Sequence, residues 1–338
     1  MKKILITGGA GYIGSHTAVA LVNSGYEPVI IDNFSNSEKS ALAGLSKICG
    51  REVKCYEVDC LDRSGVEKVF LENDFSGVIH FAAFKAVGES TRLPLKYYSN
   101  NIDSLLILLG TMSKFGVKDI VFSSSCTVYG QPEILPVKES TPRQPAESPY
   151  GNTKKICEDI LVDYIKSGAD SRIVSLRYFN PVGAHPSGEI GELPLGVPNN
   201  LVPFITQTAA GLRVKLTVFG DKYNTPDGTC VRDYIHVMDL ADAHVKSLEY
   251  LFQQKNNFYD LFNVGTGNGN TVLEVIKTFE KVSGQALNYE IGPRREGDIE
   301  KVWADTEKIN KVLGWDAKYL LEDSMRDSWN WQLKLGKQ

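Results

Sequence analysis

Long apolar runs are missing from this 338-residue chain. A membrane-spanning helix needs about 18–20 consecutive apolar residues; no stretch qualifies, so a span is excluded. The opening MKKILITGGAGYIG has the basic start of a secretory signal, but its apolar run stops at Ile6, where the glycine-rich turn begins. A signal core needs about 7–15 apolar residues. Cysteine is sparse and unpatterned: Cys49, Cys55, Cys60, Cys126, Cys157 and Cys230 make no C-x-x-C pair. This points to free thiols in a reducing cytoplasm. Only 5 histidines occur, with no H-x-x-x-H pair, so no metal site is expected. A basic stripe is also missing. With 37 Lys+Arg against 41 Asp+Glu the net charge is −4, which argues against a nucleic-acid partner. There is no internal repeat and no low-complexity tract.

What remains is an ordinary soluble composition, 42% hydrophobic and 23% charged, in a chain long enough for two packed domains. In the first half, short β-rich runs alternate with helical ones. KILITG (3–8), PVIIDN (28–33), VKCYEVD (53–59), GVIHFA (77–82), DIVFSSS (119–125) and RIVSLRYFN (172–180) read as strands. Near-continuous apolar strands separated by helices imply a doubly wound parallel α/β sheet of Rossmann type, covered on both faces. In 93–115, Ile102, Leu105, Leu106, Leu109 and Met112 mark a helical face. Cys157, Ile160, Leu161 and Tyr164 do the same after Tyr150, with Lys154 at the edge of that face. PVGAHPSGEIGELPLGVPNN (181–200) has no period and reads as a long loop, either functional or a linker. Shorter mixed elements follow. The expected division is a dinucleotide-binding domain over 1–180 and a smaller α/β substrate domain over 181–338, interleaved with the first.

TGGAGYIG (7–14) follows the first strand and opens a helix. Gly8, Gly11 and Gly14 allow a tight turn and let backbone N–H groups approach a pyrophosphate at the positive end of that helix. Asp32 ends the second strand, where an acid can bind a ribose 2′-hydroxyl and would repel a 2′-phosphate; NAD is favoured over NADP. Asp59 ends the third strand and is a candidate for adenine, or an ordinary strand-end aspartate. FAAFK (81–85) lies at the carboxyl edge of the sheet, which makes Lys85 a candidate ligand contact.

SPYGNTKK (148–155) places Tyr150 and Lys154 one helical turn apart. A free tyrosine, with a pKa near 10, is a poor base at neutral pH; lowering it by about 3 units takes about 4 kcal/mol. A neighbouring ammonium and an oxidised nicotinamide could supply that. Tyr150 would then accept a proton from a substrate hydroxyl as hydride leaves the same carbon. Y-x-x-x-K alone is weak evidence, but here it follows a strand ending in Ser123, Ser124 and Ser125, one of which can bond the reacting oxygen.

TGGAGYIG, FSSSCTVYG, SPYGNTKK and RYFNPVGAHPSG together resemble the extended short-chain dehydrogenase/reductase family. Within it the likeness, which runs past RREGD (294–298) nearly to the chain end, is to the branch that inverts UDP-galactose and UDP-glucose at C4. The resemblance implies an NAD-dependent isomerase of galactose metabolism and a homodimer. It implies catalytic roles for Ser125, Tyr150 and Lys154. It implies NAD contacts at Tyr12, Ile13, Asp32, Asn33, Phe34, Ser35, Asn36, Ser37, Asp59, Cys60, Phe81, Ala82, Ala83, Phe84, Lys85, Asn100 and Phe179.

For the UDP-sugar it implies Arg232, Arg295 and the helix start at Asn200 and Leu201 near the diphosphate, and Asn180 near the sugar or its phosphate. Thr217, Val218 and Phe219 would face uracil, and Asp298 the ribose. On the residues alone each arginine is a surface or salt-bridge residue, and Asn200 an N-cap. His236 and Asp239 are given no catalytic role, Asp239 reading as a helix cap. Sugar-nucleotide dehydratases of the family carry Thr-Asp-Glu where this chain has Ser125, Cys126 and Thr127, so dehydration is disfavoured. Val302 stands where many glucose/galactose members have tyrosine, which would leave room for a 2-acetamido group. The alternatives are a net sugar-nucleotide dehydrogenase and a non-catalytic NAD-binding module.

Overall fold

The computed structural model describes residues 1–294 and 299–336. The chain begins β1 (Lys3–Thr7), α1 (Tyr12–Asn23), β2 (Glu27–Asp32), α2 (Ser40–Cys49), β3 (Lys54–Glu57), α3 (Arg63–Leu71) and β4 (Phe75–His80). It continues α4 (Val87–Arg92), α5 (Pro94–Phe115), β5 (Asp119–Ser125), α6 (Pro149–Lys166), β6 (Arg172–Tyr178), β7 (Asn180–Val182), α7 (Leu201–Ala209) and β8 (Leu216–Phe219). Then come β9 (Val231–Arg232), β10 (Tyr234–His236), α8 (Val237–Leu251), β11 (Phe258–Val264), β12 (Asn270–Thr271) and α9 (Val272–Ser283). The last are β13 (Tyr289–Gly292), β14 (Lys301–Val302), α10 (Glu307–Leu313) and α11 (Leu321–Leu335).

Two compact units result, each assembled from segments that alternate along the sequence; one boundary falls between Tyr178 and Phe179, and Gln131–Pro142 and Ala241–Phe262 are exchanged across it. The first contains Met1–Gly130, Arg143–Tyr178 and Ala241–Phe262. Its seven-stranded sheet has the order β11-β6-β5-β4-β1-β2-β3, and the pairings from β3 through β6 are parallel. The order reverses between β1 and β4, so the turns leaving these two strands meet at one edge of the sheet. β11 was not read from the sequence as part of this sheet. Its sequence FYDLFNV is broken by Asp260 and Asn263 and lacks the valine–isoleucine density of the inner strands.

The inner strands are buried on both faces: Ile4, Leu5, Ile6, Val29, Ile30 and Ile31 have no exposed surface. Each such side chain stabilises the unit by about 1.5–3 kcal/mol relative to exposure. One face packs Leu5, Val78, Ile120 and Phe122 against α5 and α6 through Leu105, Leu109, Met112, Cys157 and Leu161. Leu106, read as part of the buried face of α5, is 45% exposed; Leu108 takes its place in the core. α5 opens on Pro94 and stops at Gly116, whose φ of 69° suits glycine. α6 opens where the Ser148 hydroxyl accepts from the Gly151 N–H, with Pro149 at its first position.

The second unit contains Gln131–Pro142, Phe179–Leu240 and Asn263–Gln338. Its strands are short: β7 pairs with β10, β9 lies between β12 and β14, and β8 pairs with β13. Its core gathers Val202 and Ile205 of α7, Val218 of β8, Phe279 of α9 and Met325 of α11. Among the described residues no helix is long and apolar enough to cross a membrane.

Candidate active site

At the switch between β1 and β4 the backbone is drawn tight. Gly8 has φ +68°, and a Cβ there would lie 2.9 Å from the Ala82 nitrogen. A Cβ on Gly14 would lie 2.4 Å from the Gly8 carbonyl oxygen. The Phe81 N–H donates to the Thr7 carbonyl at 3.1 Å, joining the two turns. Gly11 precedes α1, which has no side-chain cap and no acid in its first turn, where Tyr12 and Ile13 lie. An uncapped helix start over a glycine turn has the donor set an anionic pyrophosphate requires.

Asp32 anchors the next loop. Its Oδ2 accepts from the Ala10 N–H at 3.0 Å; its Oδ1 accepts from the Phe34 N–H at 2.9 Å and the Ser37 hydroxyl at 2.8 Å. Phe34 adopts φ 54° to make this turn. Asn33 donates to Asp59 at 2.8 Å and its Oδ1 accepts from the Ser35 N–H at 3.0 Å, while Asn36 is exposed. Cys60 is buried, and burial pushes its thiol up to about 12, so it is a neutral wall. Phe81, Ala82, Ala83 and Phe84 are half-buried and Lys85 is exposed, its ammonium 6.0 Å from the Tyr12 ring centre. Asn100 donates to Asn101, which accepts from the Phe84 N–H at 2.9 Å and donates to Thr153 at 3.1 Å. Asn101 was missed from sequence; the signal was a polar residue interrupting the apolar face of α5.

Ser125, Tyr150 and Lys154 come together in this unit. The Ser125 hydroxyl hydrogen-bonds Tyr150 and accepts from the Thr127 N–H at 3.2 Å. Lys154 is 4% exposed; its ammonium donates to the Ser123 carbonyl at 2.6 Å and lies 4.9 Å from the Phe122 ring centre. Burial pulls it down to about 8, against the upward pull of Cys157 and Glu158. The sequence points to Lys154 and an oxidised nicotinamide together lowering Tyr150. Among the chain's own residues burial pushes the Tyr150 hydroxyl up to about 12, with Ser125 pulling it down and Cys126 pushing it up. The bond to the Ser123 carbonyl takes one of the three N–H groups of the ammonium and leaves its charge in place. Two neighbours went unread. His80, bonded to Thr7 at 2.7 Å, is held neutral, burial and Lys154 pulling it down to about 3. Tyr178 hydrogen-bonds Ser123 through its hydroxyl.

In the second unit Phe179 is buried and the Asn180 N–H donates to the Asp233 carbonyl at 2.9 Å. Asn200 precedes α7 as expected, but its side chain makes no cap bond; it donates to Glu192 at 2.6 Å. Leu201 is the first residue of α7. Thr217, Val218 and Phe219 pair with Glu290, Ile291 and Gly292 in parallel register, and Phe219 is 43% exposed. Among the described residues β8 has β13 as its one strand neighbour, so a planar ligand can meet its opposite edge. Arg232 is half-buried, its Nη1 donating to the Val231 carbonyl at 2.9 Å. It lies in register with Val302. Val302 is 2% exposed, so the room expected there is not open surface. Arg295 and Asp298 lie outside the described residues.

A reversing parallel sheet, a glycine turn facing an uncapped helix, and a Ser–Tyr–Lys cluster beyond β5 together define an enzyme of the extended short-chain dehydrogenase/reductase class. The chain matches the family model described as GDP-mannose 4,6 dehydratase over residues 5–328. It is 54% identical to the UDP-glucose 4-epimerase of Bacillus subtilis, over 97% of this chain and 96% of that one. Its fold superposes on the UDP-glucose 4-epimerase of Bifidobacterium longum, solved with NAD+ and UDP, with a TM-score of 0.95 and 48% identity over 98% of both chains. A Stenotrophomonas maltophila UDP-glucose 4-epimerase, solved with NAD and formylated UDP-arabinopyranose, gives a TM-score of 0.97 and 45% identity over 100% of this chain and 99% of that one. The chain belongs to the UDP-glucose 4-epimerase family.

Proposed function

We infer that the protein is an NAD-dependent isomerase that interconverts UDP-galactose and UDP-glucose at C4. The observation that carries this reading is the cluster of Ser125, Tyr150 and Lys154 beyond β5, with no acid at Cys126 or Thr127 to serve an elimination. Gly8, Gly11 and Gly14 shape the pyrophosphate turn, Tyr12 and Ile13 open its helix, and Asp32 with its loop through Ser37 takes the adenosine ribose. Asp59, Cys60, the 81–85 turn, Asn100 and Phe179 complete the proposed cofactor contacts. NAD, when bound, takes hydride from C4 and returns it, and its oxidised ring supplies the positive charge that Tyr150 needs to act as a base near neutral pH.

Tyr150, bonded to Ser125, takes the proton of the C4 hydroxyl; the 4-keto hexose turns over, and Tyr150 restores the proton on the other face. Lys154 sustains the local positive charge and orders the end of β5 through Ser123. The UDP half falls to residues of the second unit: Arg232, Arg295 and the start of α7 for the diphosphate, Asn180 for the sugar end, Thr217–Phe219 for uracil and Asp298 for ribose. Holding the nucleotide while leaving the hexose loose is what inversion without release requires. We extend the substrate range to UDP-N-acetylhexosamines, on the small side chain of Val302. A homodimer is proposed on the exposed Leu95 and Leu106 of α5, and the cytoplasm on the free cysteines. Proton NMR of the purified protein with UDP-galactose tests the activity: UDP-glucose signals are expected without added NAD, and their absence even with NAD added would refute the reading.

A further inference from the structure

Three consecutive serines of β5 hold three successive turns of α6. Ser125 bonds Tyr150, the Ser123 carbonyl receives Lys154, and the Ser124 hydroxyl donates to Glu158 at 2.6 Å. Tyr150, Lys154 and Glu158 are spaced at i, i+4 and i+8, so they share one helical face. The first two of these contacts belong to the chemistry. The third does not, yet it is the most heavily built.

Glu158 is 2% exposed and Arg177 is 3% exposed. Arg177 grips the carboxylate with both arms, Nε to Oε1 at 2.8 Å and Nη2 to Oε2 at 2.6 Å. Arg177 is the register partner of Ser124 across β5 and β6, so the pair ties α6 to both strands. Its Nη1 donates to the Tyr129 hydroxyl at 3.0 Å, in the single-turn segment after Ser125, and Arg143 adds a bond to Glu158 at 3.4 Å. Ile120 and Phe122, on the same strand face as Ser124, pack in one core with Cys157 and Leu161. An apolar residue at 158 would fit that face, and a buried ion pair is a poor way to gain stability alone.

We propose that Glu158, clamped by Arg177, is a positioning residue for the catalytic pair, fixing the register of α6 on β5 and so the place of the Lys154 ammonium at the end of that strand. The inference rests on the epimerase reading. The titratable groups facing Lys154 are Cys157 and Glu158 on its own helix and His80 on β4; Tyr150 is one turn away, with Cys126 and Tyr178 around it. His80 is held neutral and Cys157 is pushed up to about 11, which leaves the carboxylate gripped by Arg177 as the acidic group beside Lys154. Its charge opposes the burial that lowers Lys154.

The test uses Glu158→Gln, which removes the charge, and the double variant Glu158→Gln/Arg177→Met, which leaves neither charge buried and covers the case in which the single variant misfolds. In the folded variant, kcat for UDP-galactose is expected to fall at least tenfold with KM within about twofold, and the basic limb of kcat/KM to move to lower pH by half a unit or more. Ser124→Ala, which deletes only the hydroxyl, is expected to lower kcat several-fold without moving that limb. A folded variant with wild-type kcat and an unmoved limb overturns the proposal and leaves the pair as a structural tie. An independent readout is the pH titration of the Lys154 Cε resonance in lysine-labelled protein, assigned with Lys154→Arg. It needs no turnover: an inactive wild type in which Glu158→Gln still lowers that titration refutes the epimerase reading and keeps the coupling, whereas an unmoved titration refutes the coupling.

Discussion

The two units gather their proposed contact residues by different means. The first uses long parallel strands whose carboxyl ends deliver the glycine turn, Asp32, the 81–85 turn and Ser123–Ser125 to one edge. The second uses strands of two to four residues and draws β9 between β12 and β14, so Arg232 meets residues about 40 and 70 positions further on. Convergence in the first unit follows from a repeated pattern; in the second it depends on pairings that no local pattern announces. The first site should therefore respond to substitutions in chemistry and cofactor retention, the second in substrate affinity.

The largest expected effect is Tyr150→Phe. Loss of the proton-transfer group should lower kcat by about 10²–10⁴-fold while NAD still co-purifies, checked by the absorbance of the purified protein and a coupled assay. Gly14→Val comes next, because even a Cβ would lie 2.4 Å from the Gly8 oxygen. NAD retention should be lost, and near-normal NAD content after desalting would show that the turn does not carry the cofactor. Arg232→Ala should divide the units: KM for UDP-galactose rises about tenfold or more while kcat changes less, because the proposed charged hydrogen bond to the diphosphate would be lost outside the reacting centre. An effect on kcat alone would erase the proposed difference.

The pH response is smaller. Lys154 is pulled down to about 8, so its ammonium is lost as pH rises through that value and kcat/KM should fall above about pH 8. A profile flat to pH 10 would contradict that account. Smallest is Val302→Tyr, which should reduce turnover of UDP-N-acetylgalactosamine relative to UDP-galactose; an unchanged ratio sinks the extended substrate range.

The sheet was legible because Val- and Ile-rich runs bounded by glycine or aspartate have few other solutions, and β1, β2, β4, β5 and β6 fall within one or two residues of those runs. Tyr150 and Lys154 were legible because helical spacing places them on one face. Their electrostatics were not, since the partner of Lys154 is a carbonyl 31 residues away. Asn200 shows the same limit: its position at a helix start suggested a cap, but Glu192 from the preceding loop takes its side chain. Asn101, His80 and Glu158 were unread because none belongs to a recognisable motif, although Asn101 and His80 interrupt apolar patterns. Their burial is visible only once the neighbouring elements are in place.

The central claim is that C4 is oxidised and reduced on a single bound sugar. Incubation of the purified protein with UDP-galactose deuterated at C4, in light water, tests it by mass spectrometry and NMR of the product. UDP-glucose that keeps deuterium at C4 is the expected result. Label lost to solvent at C4, or oxygen at C4 exchanged with water, would contradict hydride return by the same enzyme-bound cofactor.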